Sequence, residues 1–61
     1  METKKIILKL RTERGMSQDE LANKVMVTRQ AVSRWENGDT VPNTDTLRLL
    51  SKEFDVSINM L

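Results

Sequence analysis

With 61 residues, 38% apolar and 31% charged, the chain is expected to form one domain, 1–61, and its mix suits a small helical domain better than a sheet protein or a disordered tail. Cysteine and histidine are both absent, which excludes disulfides, the usual zinc sites and the usual general base. Net charge is only +1 but unevenly spread, since residues 1–34 carry eight bases against four acids and residues 35–61 carry two bases against five acids, a split that points one basic side at an anion.

Lys4 to Arg14 is expected to form the first helix, with Ile7 and Leu10 inward, ending at Gly15, a residue suited to the left-handed position after a helix. Only Ile6, Ile7 and Leu8 follow Lys4 and Lys5 without interruption, too few for a signal-peptide core or a membrane span, so the expected location is cytoplasmic. Ser17-Gln18-Asp19-Glu20 then matches the capping box, in which serine and glutamate side chains satisfy each other's orphan amides, and a second helix follows with Leu21, Ala22 and Val25 inward. After a short break at Met26-Val27, Thr28 is a fitting N-cap for a third helix that runs to about Glu36 and stops at Asn37-Gly38. So short a gap implies that helices two and three cross steeply instead of forming a long hairpin. Pro42 keeps the next loop extended, Asn43 or Thr44 caps a fourth helix with Leu47, Leu50 and Phe54 inward, and Ser57 caps a last short turn in which Ile58 and Leu61 share a face. No repeat, linker or period-two strand pattern interrupts this series.

Helix three carries the chemistry. On a wheel of about 100° per residue, Ala31, Val32 and Trp35 cluster on one side, while Arg29, Gln30, Ser33, Arg34 and Asn37 share an opposing arc of about 140°. Every side chain of that arc is a hydrogen-bond donor, and the acids that a solvated helix normally intersperses are missing from it, with Glu36 at its margin. Duplex DNA wants such a face: phosphates take positive charge and short donors, guanine offers Arg two major-groove acceptors, and adenine offers Gln or Asn a donor and an acceptor. Arg29 and Gln30 at the helix start, with Arg34 one turn on, sit where a recognition helix touches base edges.

The segment SQDELANKVMVTRQAVSRWENG resembles the helix-turn-helix of the phage repressor/Cro-like family of bacterial transcription regulators. IILKLRTERGM before it and VPNTDTLRLLSKEFDVSINML after it are similar to that family's first, fourth and fifth helices. The resemblance implies an all-α, compact domain of five short helices, the lambda-repressor-like DNA-binding fold. It implies that Gln18 hydrogen-bonds a phosphate and braces the recognition helix, and that Thr28 and Asn37 also meet phosphates. Arg29, Gln30 and Arg34 correspond to base-edge contacts, with Ser33 beside them at base or phosphate. Arg11 and Glu36 correspond to an ion pair tying helix one to the end of helix three, which is reasonable because an unpaired Glu36 there would repel phosphate. Two departures stand out: Met26 replaces the family's usual glycine at the turn, where a left-handed backbone costs a non-glycine residue about 1–2 kcal/mol, and these 61 residues are shorter than many members, which continue into a dimerisation or sensor domain.

Several residues have blander readings. Trp35 could stack on a base, but its place beside Ala31 and Val32 favours the core. Met16 and Met26 read as gap-fillers, Met60 as rim or interface. Lys4, Lys5, Lys9, Arg14, Arg48 and Lys52 read as solvated surface. No enzyme is expected: the serines have no histidine to activate them, Asp19 and Glu20 point to different faces, and no metal or cofactor site is evident. The expected protein is a transcription regulator, a repressor, working as a homodimer on a palindromic duplex-DNA operator; Ile58, Met60 and Leu61 either form the dimer surface or cap the core. The rival reading is a protein-interaction or antitoxin-like helix-turn-helix module. Single-stranded RNA binding is disfavoured because no aromatic is exposed for base stacking.

Overall fold

Helical spacing of apolar residues becomes helix throughout the chain. The computed structural model describes residues 3–61 as α1 (Thr3–Glu13), α2 (Gln18–Lys24), α3 (Arg29–Asn37) and α4 (Thr44–Phe54), closed by a 3-10 turn at Ile58–Met60. The expected count of five helices is thereby corrected to four and a 3-10 turn. The fifth segment is three residues long, and the bond it makes, Leu61 N–H to the Ile58 carbonyl at 3.1 Å, is the i to i+3 ring of a 3-10 turn. The side chain of Met60, expected at a rim or interface, lies outside the described residues.

Each start signal operates as the chemistry requires. Ser17 Oγ accepts the Glu20 amide at 3.1 Å while Glu20 Oε1 accepts the Ser17 amide at 3.1 Å, completing the capping box of α2. Thr28 Oγ1 accepts the Ala31 amide at 3.2 Å, and Asn43, not Thr44, caps α4 by accepting the Thr46 amide at 2.9 Å. Ser57 caps the 3-10 turn through the Asn59 amide at 3.3 Å.

All four helices end by one device, a left-handed residue followed by an amide that reaches back to the carbonyl five residues before it. Gly15, Met26, Gly38 and Asp55 take φ of 66, 61, 83 and 54°. The returning bonds run from Met16 to Arg11 (3.1 Å), Val27 to Ala22 (2.9 Å), Asp39 to Arg34 (2.9 Å) and Val56 to Ser51 (3.1 Å). Met16, Val27 and Val56 then lay their side chains on the core, so each of these chain reversals also buries apolar surface. At Gly38 the positive φ would strain any side chain, and a Cβ there would also press on the Lys4 side chain, 3.1 Å from its Cδ.

Ile7, Leu10, Leu21, Ala22, Val25, Val32, Trp35, Leu50 and Phe54 form the core, with Ala31, Leu47 and Leu61 half-buried against it. Both α1 and α2 pack on α3, which is therefore the central element, and α4 packs on the closing turn. Arg14 joins the two distant ends: its Nη2 donates to the last carbonyl of α4, Phe54 O, at 2.7 Å, and its guanidinium lies 5.1 Å from the Phe54 ring centroid. Arg14 is exposed, as expected of a surface charge, and it is also a tie between helices. Lys24 and Glu53, 3.6 Å apart, pair α2 with α4. None of the described helices is long and apolar enough to cross a membrane.

Candidate nucleic-acid interface

The two arcs of α3 face as their chemistry dictates. Val32 and Trp35 are buried, Trp35 only 5% exposed, so the indole belongs to the core. On the other side Arg29, Gln30, Arg34 and Asn37 are exposed and Ser33 is half-buried, leaving a surface of donors.

What holds this face in place is a network around Glu36, at the margin of the arc. Arg11 of α1 donates to it twice, Nε to Oε2 at 2.7 Å and Nη2 to Oε1 at 3.1 Å. The same guanidinium spends its remaining edge on the Met16 carbonyl, Nη1 to O at 2.7 Å, so one side chain ties α1, the α1–α2 loop and α3. Gln18 of α2 adds a third bond to the carboxylate, Nε2 to Oε1 at 2.9 Å. The Arg11 and Glu36 side chains are only 13% and 7% exposed, and a bidentate pair this sheltered fixes orientation as well as contributing energy. The ion pair expected from the resemblance is present, and Gln18 braces α3 directly.

The turn between the helices takes four residues, Val25 to Thr28. Met26 is left-handed there and 82% exposed, so a methionine holds the position that favours glycine, with its side chain in solvent instead of filling a gap. Val25 and Val27 on either side are buried and half-buried, which anchors the strained residue between two apolar contacts.

Gln18, Thr28 and Asn37 sit respectively at the start of α2, the start of α3 and its end. Thr28 Oγ1 is occupied as acceptor by its cap bond, which leaves its O–H free to donate. Arg34 forms no ion pair with any described residue, while Arg29 Nε lies 3.6 Å from Asp19 Oδ1, linking the first turns of α2 and α3. That link and the Arg14 tie are invisible to sequence periodicity, which orders residues within a helix and says nothing of distances between helices.

Comparison with known proteins agrees with this geometry. A helix-turn-helix family model matches residues 7–61. The chain is 39% identical over its full length to the helix-turn-helix transcriptional activator BcrR of Enterococcus faecalis, and spans 30% of that protein. It superposes on the P22 c2 repressor, solved with a synthetic operator, with a TM-score of 0.91 at 30% identity, covering 97% of this chain and 89% of the repressor chain. A point variant of the restriction-modification controller protein C.Esp1396I matches with a TM-score of 0.83 at 32% identity, covering 97% of this chain and 77% of that one.

Proposed function

This chain belongs to the helix-turn-helix family, and from that premise we propose that it binds duplex DNA as a cytoplasmic transcription regulator, with α3 in the major groove. The observation that carries the reading is the largely exposed, acid-free and donor-rich arc of α3, locked by Arg11, Gln18 and Glu36 to the two helices behind it. Arg29, Gln30, Ser33 and Arg34 are assigned to base edges, where Arg suits guanine and Gln suits adenine. Gln18, Thr28 and Asn37 are assigned to phosphates that set the register. Gln18 has a second amide hydrogen after its bond to Glu36, so it can brace α3 and meet a phosphate together.

One such module covers few base pairs, so the working form is a homodimer on a palindrome whose half-sites lie about one helical turn apart. Ile58, 38% exposed on the closing turn, is the apolar side chain assigned to that contact, whereas Leu61 packs against the core. The regulator represses where its operator overlaps a promoter, in keeping with its likeness to the P22 c2 repressor; the likeness to a named activator favours activation as the second reading. The rival in which the chief partner is a protein is separated by titrating random duplex DNA at increasing salt. A phosphate-contacting domain loses about tenfold or more in affinity between roughly 50 and 200 mM salt. Selection from random duplexes then returns a two-fold motif; flat salt dependence with no enriched motif overturns the reading.

A further inference from the structure

The two arginines of the reading face differ in one respect: Arg34 is unpaired among the described residues, whereas Arg29 faces a carboxylate across the turn. Arg29 Nε lies 3.6 Å from Asp19 Oδ1, within ion-pair range though beyond a hydrogen bond, and the two side chains are 63% and 73% exposed. Asp19 has no part in the capping box, which Ser17 and Glu20 complete, and none in the core. An acid beside Gln18, the side chain assigned to a phosphate, opposes DNA affinity by like-charge repulsion. Its effect on Arg29 runs the other way. A carboxylate on the Nε edge leaves the two terminal amino groups as a free fork, the part of a guanidinium that matches guanine O6 and N7 end-on. Partial neutralisation by Asp19 also weakens the pull of Arg29 toward phosphate, an attraction that carries no sequence information, more than its hydrogen bonding to a base edge.

We propose that Asp19 is a positioning residue for Arg29, holding the guanidinium end-on to the groove and thereby sharpening the preference for guanine at one base pair of each half-site. This rests on the reading of α3 as the base-reading helix. The test compares base preference after selection from random duplexes for the parent, Asp19→Asn, Arg29→Ala and the double variant, with helicity followed by circular dichroism. Asp19→Asn is expected to lower the preference for guanine at a single position about three- to fivefold, the range of an exposed ion pair, and to change nothing in the Arg29→Ala background. Two results overturn the proposal: Asp19→Asn strengthening binding to all duplexes with the preference intact, or the loss persisting without Arg29. A parent that enriches no motif overturns the DNA-reading function itself, so the two failures are distinct.

Discussion

Gln30 and Arg34 carry little structural duty in their side chains, since both are exposed on α3 and neither side chain forms a hydrogen bond or ion pair with another described residue. Replacing either with alanine is therefore expected to leave helicity unchanged by circular dichroism. Each replacement relaxes preference at its own base pair by about 1–3 kcal/mol, read as relative affinity for single-base operator variants. If both variants select as sharply as the parent, the base assignments are wrong. Met26 presents the opposite case, a residue with backbone duty and almost no contacts. Its side chain is 82% exposed and its φ is 61°, so Met26→Gly loses little packing and removes most of the left-handed penalty of about 1–2 kcal/mol. Part of that gain returns to the more flexible unfolded chain, leaving about 0.5–1 kcal/mol of added stability, a rise in Tm of a few degrees by thermal melting.

At the level of elements, the start of every helix after the first, and the glycine stops at Gly15 and Gly38, are legible in the residue order alone. Capping is local chemistry: Ser17, Thr28, Asn43 and Ser57 each act on an amide two or three residues away. The left-handed stop at Asp55 is harder to read; among non-glycine residues Asp is one whose short polar side chain eases that conformation, so its identity carries the signal faintly. Contacts between elements are another matter. The Arg11–Glu36 pair follows only from the family resemblance, and the Arg14–Phe54 and Lys24–Glu53 links have no sequence signal at all. Because Glu36 is the shared acceptor of Arg11 and Gln18 in a sheltered site, Glu36→Ala strands a poorly solvated guanidinium and is expected to cost about 3 kcal/mol in urea denaturation. Replacing the pair together, Arg11→Met with Glu36→Leu, is expected to cost less than Glu36→Ala alone, since no charge is then left buried. A double variant as unstable as the single one contradicts that account.

For the whole molecule, size sets the margin. A domain of this length has about 3–9 kcal/mol of stability, and Phe54→Ala removes about 3–5 kcal/mol of it by emptying the centre of the core. Phe54 also stacks under Arg14, so the variant is expected to be largely unfolded at 37 °C by circular dichroism, and to regain structure on saturating duplex DNA if DNA binds only the folded state. Sequence by itself determined the class, the helix positions, the core residues and the donor-rich arc of α3, because these depend on side-chain spacing within a few turns and on the residue types that start and stop a helix. Tertiary structure decided which side chains meet across helices: that Gln18 and Arg11 share Glu36, that Asp19 faces Arg29, and that Met26 holds a left-handed turn. Those outcomes depend on how separate helices pack, a distance that no periodicity encodes, and they are what aim the arc that the sequence displays.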